Sequence, residues 1–207
     1  LPAAAQRPPE AAPEKPRLHI LKGQVQQAHL MIGFPIPKAG DKAAPALDLL
    51  AFILGRGESS RLAQSVKIAG GLVSSISSSA FASKDPGLFL IQAQLEPDKT
   101  TAALRAIFKE LSRLREEPVS PLELNRAHVN FVRSFVEIKE TLQGQANQMG
   151  NFQFLYGDPD YEEDYLKEIR QLDAEKLTST ARTFFKGENF SLSLLVPDRT
   201  TQLPGDE

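Results

Sequence analysis

The 207-residue sequence has no cysteine, no tryptophan and only three histidines. Without cysteine there can be no disulfide, no thiolate metal site and no cysteine nucleophile, and the chain fits any redox compartment. No apolar run approaches the roughly 18 residues that a membrane span requires, so no membrane-spanning helix is expected. The histidines are His19, His29 and His128. The first two fall on separate strand-like runs, and His128 has no histidine or glutamate at helical ligand spacing. No zinc motif of any spacing is present, and all three are read as structural or surface histidines. Excess positive charge is missing too: 24 Lys and Arg against 26 Asp and Glu give a net charge of -2. The basic residues are interleaved with acids, as in Arg115-Glu116-Glu117, so no basic field invites nucleic acid.

What is present is an ordinary globular composition, 41% apolar and 24% charged, enough for one good core. Residues 1–16, LPAAAQRPPEAAPEKP, are dominated by Ala, Pro and charge, and are expected to form an extended, semi-rigid linker to something upstream. Residues 17–200 are expected to be the folded domain and 201–207 a polar tail. Leu18-His19-Ile20-Leu21 and residues 24–34 read as strands, the second stopped by Pro35 and Pro37. Residues 43–54 carry Ala46, Leu47, Leu50, Ile53 and Leu54 on one helical stripe, with Pro45 tolerated in the first turn. Gly55 and Gly57 end that helix, and Ser59 or Ser60 can cap another reaching about residue 68.

Residues 72–82 and 87–95, joined by Lys84-Asp85-Pro86-Gly87, read as a hairpin. Residues 98–116 are amphipathic. Ser120-Pro121-Leu122-Glu123 predicts a capping box opening a long helix toward Leu142, with Gly144 interrupting or kinking it before a segment reaching Tyr156. Two shorter helices are expected near 161–171 and 173–185, the latter capped by Asp173, and then a strand over 190–196. Runs of helices between strands predict an α+β domain: one largely antiparallel sheet with helices packed on one face.

Several of these pieces, in this order, resemble the non-zinc half of pitrilysin/insulinase-type zinc peptidases over nearly all of residues 17–197. They include Ala28-His29-Leu30-Met31-Ile32-Gly33-Phe34, Leu54-Gly55-Arg56-Gly57-Glu58-Ser59-Ser60-Arg61-Leu62, Asp85-Pro86-Gly87-Leu88-Phe89, Ser120-Pro121-Leu122-Glu123-Leu124 and Tyr156-Gly157-Asp158. The resemblance implies two similar halves closing around an extended peptide, with zinc held by an H-x-x-E-H motif in the other half. That half would lie upstream on the same chain or on a separate subunit. No cofactor, metal ligand or catalytic residue is then expected in this chain. The family's second half contributes an Arg and, seven residues later, a Tyr that grip the substrate; at those positions this sequence has Lys67 and Ser74. Lys keeps the charge without the two-pronged donor, and Ser keeps a hydroxyl without the reach. Lys67, Ser74 and Arg61 are the expected substrate contacts, with Gly55 and Gly57 setting the turn geometry.

Other constellations point nowhere else. The serines of residues 74–79 lack a G-x-S-x-G elbow and read as the polar face of a strand; at a sheet edge that strand could pair with an extended peptide. Gly55-Arg56-Gly57 follows a helix, not the strand a dinucleotide fingerprint needs. Phe131, Phe135, Phe152 and Phe154 read as core packing. The expected function is therefore a catalytically inactive domain forming the wall of a substrate chamber, with a structural or assembly subunit as the alternative. The Ala/Pro/Glu linker and the lack of cysteine lean toward a bacterial periplasmic location.

Overall fold

The computed structural model describes residues 15–200. The expected tail over 201–207, and all of the expected linker but Lys15 and Pro16, lie outside the described residues. Five strands form one sheet: β1 (Arg17–Gly23), β2 (Ala28–Ile36), β3 (Ser75–Phe81), β4 (Gly87–Leu95) and β5 (Ser191–Pro197), in the order β1-β5-β2-β4-β3. All neighbours are antiparallel except β1 with β5. The helices are α1 (Ala44–Gly55), α2 (Thr100–Glu116), α3 (Pro121–Ile138), α4 (Leu142–Tyr156), α5 (Glu162–Arg170) and α6 (Ala174–Phe184).

Strand alternation builds the core. Leu30, Ile32 and Phe34 of β2, Phe89, Ile91 and Leu95 of β4, and Leu194 and Val196 of β5 turn one face of the sheet inward. Leu47, Leu50 and Leu54 of α1, Ile107 and Leu114 of α2 and Leu177 of α6 meet that face. Phe185 closes it against Phe34 and Phe89, with ring centroids at 5.3 and 4.7 Å. The α+β architecture with helices on one face follows from this pattern.

Local differences from expectation have local causes. Pro35 does not stop β2, which continues to Ile36 opposite Gly87. Beyond Gly33 the strand has no β5 partner, so a residue without an N–H is accommodated. The long-helix break falls at residues 139–141, ahead of Gly144. Thr141 caps α4 by accepting from Gly144 N–H at 3.0 Å. Gly144 is required for another reason: a Cβ there would stand 1.8 Å from the Ile138 carbonyl oxygen. Phe154 is 57% exposed, under the Lys84 ammonium at 4.3 Å, and is not core.

Gly55 sits where α1 comes down on β3. A Cβ there would lie 2.4 Å from the Ser78 backbone nitrogen, while the buried Ser78 hydroxyl donates to the Ala51 carbonyl at 3.0 Å. Gly55→Ala should therefore lower stability by about 1–3 kcal/mol, the usual cost of forcing atoms into a filled site. Gly150, inside α4 with open space within 4 Å of where a Cβ would stand, should respond oppositely, Ala stabilising by roughly 0.5–1 kcal/mol. Urea unfolding of the two variants against the parent chain checks both signs.

Candidate functional site

The segment from the end of α1 to the start of β3 carries every residue expected to touch substrate or to set the turn. Gly57 takes φ +82° and makes the turn, a conformation open to glycine at little cost. Ser60 does not cap by its side chain; its hydroxyl donates to the Gly57 carbonyl at 2.7 Å and closes the turn on itself. The expected second helix is present, but over Ala63–Ala69 it is wound as a π-helix. Such wide turns are rare and shift the side chains that follow relative to an α-helix.

Arg61 anchors this segment. Its Nε and Nη2 donate to the two carboxylate oxygens of Glu123 at 2.7 and 3.2 Å, and its side chain is only 9% exposed. Glu123 is also the far half of the predicted capping box, accepting from Ser120 N–H at 3.0 Å and from the Ser120 hydroxyl at 2.8 Å. This pairing gives Arg61 a structural task. Sequence spacing alone could not show that, because the partner lies 62 residues away.

Lys67 and Ser74 take different surroundings. Lys67, on the π-helical segment, donates to Glu58 at 2.7 Å in a largely exposed pair, which contributes little to stability. Ser74 stands just before β3 and is exposed; its hydroxyl lies 3.0 Å from the Gln94 carbonyl and 3.2 Å from Gln27 Oε1. No hydrogen bond joins Lys67, Ser74 and Arg61 to one another among the described residues. They form no single constellation.

The sheet also has an uncovered face. The strand register stacks its outward residues in rows: Leu21, Leu195, His29, Gln94 and Ser75, then His19, Ser193, Met31, Gln92 and Ser77. A cavity of about 440 Å³ lies over the first two rows. Further rows bring Arg17, Ser191, Gly33, Leu90 and Ser79, then Pro35, Leu88 and Phe81. Charged residues make up 24% of the chain, yet among the residues of these rows Arg17 alone is charged. A surface kept only for solubility would carry more charge. The sequence showed the serines of β3 but could not show that they share rows with Gln92, Gln94, Met31 and His29.

Metal chemistry has no footing in these residues. Among the described residues no group of three or more His, Asp and Glu stands together as a metal site would require. His19 and His29 share the open face, but their row neighbours are Ser193, Met31, Leu195 and Gln94, with no carboxylate. The His128 imidazole belongs to the helical layer, where burial pushes it below its usual pKa against a backbone hydrogen bond at Ile169. The residues present do not fit a catalytic zinc.

Fold and surface together define a single α+β half with one dressed and one open sheet face. The family model described as the peptidase M16 inactive domain matches residues 2–129, more than half of the chain. The chain belongs to the peptidase M16 inactive-domain family, as the resemblance implied. An uncharacterized zinc protease of Streptomyces coelicolor is 28% identical over 186 residues, covering 90% of this chain and 40% of that protein. A crystal structure of a protease from Helicobacter pylori superposes with a TM-score of 0.85 at 23% identity, over 95% of this chain and 48% of that one. The periplasmic protease PqqL of Escherichia coli superposes with a TM-score of 0.68 at 20% identity, over 96% of this chain and 22% of that one. The chain thus spans less than half the length of these relatives.

The Arg61–Glu123 pair should show itself in acid. Burial alone would raise the Glu123 carboxyl, but Arg61 and the two Ser120 donors outweigh it and hold the group at about 2. A depressed carboxyl contributes stability above its unfolded value, here 4.5, and loses it as the pH falls through the folded one. Glu123→Gln should therefore melt below the parent at pH 7, with the gap narrowing below about pH 4.5 and closing toward pH 2. A gap constant across that window would exclude the ion pair as its source.

Proposed function

We propose that this domain is the non-catalytic wall of a peptide-binding chamber in a zinc protease, opposite a zinc-bearing H-x-x-E-H half. The observation that carries this reading is the nearly uncharged open face of the sheet. Peptide segments of varied sequence share a backbone that wants hydrogen bonds and side chains of no fixed charge. Ser75, Ser77, Gln92 and Gln94 offer polar groups without selecting a sign, and Met31, Leu21 and Leu195 offer apolar contact. At the sheet's edge β3 supports a further part of the reading: an extended substrate adding to it as a strand.

In this reading the catalytic zinc belongs to the other half, on the same polypeptide or on a partner subunit. Lys67 and Ser74 hold substrate at the rim. The periplasm is the proposed location, supported by the structural likeness to PqqL. The 207-residue chain alone should retain no stoichiometric zinc after dialysis and cleave no peptide.

A second reading, a scaffold or assembly subunit, draws on one specific fact. Lys67 is already engaged by Glu58 and Ser74 by the Gln94 carbonyl. One double variant separates the two. In the protein joined to its zinc half, Lys67→Arg with Ser74→Tyr restores a bidentate donor and a phenol at the chamber rim. Because one transition-state donor is worth about 10²–10³ in rate, peptide turnover should rise at least about tenfold. Unchanged turnover in a folded, zinc-loaded double variant would favour the scaffold.

A further inference from the structure

On the helical side of the domain, away from the open sheet face, α1, α3, α4 and α5 surround a cavity of about 370 Å³. Its size is that of a small-molecule site. Four aromatic rings line it: Phe135, Phe152, Tyr156 and Tyr165, with centroid separations of 5.6 to 6.4 Å between neighbours. Two polar side chains within it have no structural explanation. Asp48 of α1 accepts a hydrogen bond from the Tyr165 hydroxyl but forms no ion pair with any described residue. Gln148 of α4 is buried, at 7% exposure, and neither its Nε2 nor its Oε1 has a hydrogen-bond partner among the described residues.

Each feature costs stability unless something answers it. A half-buried carboxylate without a cation, and a buried primary amide left unbonded, are both unfavourable. They occur together, on the wall of one cavity, beside rings whose faces attract cations. The surroundings share the sign. Glu168 stands beside Tyr161 and Tyr165, and the adjoining groove, which also reaches Gln148, is bordered by Asp160, Glu162 and Glu163. Its lysine, Lys139, is taken by Glu162 at 2.6 Å.

We propose that this cavity binds an organic ammonium ion, a primary or methylated amine on a slim apolar body. The cationic end meets the Asp48 carboxylate and the tyrosine rings. The apolar body lies against Phe135 and Phe152, and Gln148 Oε1 accepts an N–H of a primary ammonium. Burial pushes the Asp48 carboxyl up to about 6 against the Tyr165 hydrogen bond, so the carboxylate is the major form at pH 7.5.

The test is an amide-shift titration of the 207-residue chain at pH 7.5 with n-butylammonium and tetramethylammonium, and with n-butanol as the neutral comparator. The expected result is saturable shifts at Asn147, Gln148 and Asn151, with an ammonium binding at least about tenfold tighter than the alcohol. Asp48→Asn, close in shape to the parent, should weaken ammonium binding about tenfold, or about 1.4 kcal/mol, and leave butanol unchanged. A lysine amide blocked at both ends separates the sources of the amine: binding as tight as butylammonium marks a peptide lysine, much weaker binding a free amine. Absence of saturable shifts, equal binding of ammonium and alcohol, or undiminished binding in a folded Asp48→Asn chain would overturn the proposal. If that variant does not fold, the ammonium-to-alcohol ratio on the unaltered chain decides.

Discussion

The carboxylate of Glu123 holds two elements at once. Through Ser120 it fixes the first turn of α3, and through Arg61 it fixes the segment that leaves α1 and returns to the sheet as β3. Both ends of that segment are otherwise set by close contact, with Gly55 against the β3 backbone and Ser74 bonded to the Gln94 carbonyl. A chain pinned at its ends still has freedom between them, and the buried ion pair removes it. Lys67 rides on the segment so pinned. A carboxylate shared between a cap and a guanidinium is satisfied on both oxygens, which is what lets an arginine with a 9% exposed side chain stand inside a small domain.

The two faces of the sheet show opposite solutions to one constraint. A strand places alternate side chains on opposite faces, so each of the five strands had to be written twice, once for the helices and once for the open side. The inward set is Leu, Ile and Phe in the central rows of β2 and β4, relieved only by Ala93 opposite Leu30. The outward set avoids charge and mixes polar with apolar: the rows rich in Ser, Gln and His lie between the Leu21–Leu195 pair and the apolar row of Pro35, Leu88 and Phe81. In the proposed reading such a surface accepts peptides of many sequences, since no fixed charge selects among them.

Most of the fold was legible because its signals are local. Alternation gave the strands, the 3.6-residue stripe gave α1 and α2, and Ser120 and Asp173 marked helix starts that the structure realises atom for atom. The misreadings share a cause, a contact outside the element overriding a local rule. Pro35 is tolerated because β5 ends beside Gly33, and Gly144 is needed because α3 ends against it. Of the candidate site, the positions of Lys67 and Ser74 could be named, but the rows that make a surface could not. Rows are a property of register, and strand order β1-β5-β2-β4-β3 brings together residues from opposite ends of the chain.

The same reasoning explains why the acidic aromatic cavity could not be read from the sequence. Asp48 looks like one polar interruption on an apolar helix, and Phe135, Phe152 and Tyr165 look like ordinary core spacing. Only the fold sets the carboxyl of α1 beneath rings from α3, α4 and α5, 117 residues separating Asp48 from the tyrosine that binds it. An apolar residue at position 48 would fill the space at lower cost if packing were the only demand, since buried polar groups rarely outperform well-packed apolar ones. A structure that keeps a carboxylate without a cation and an unbonded amide on one wall therefore carries a cost that packing does not explain, and a primary ammonium with an apolar body answers the carboxylate and the amide oxygen together.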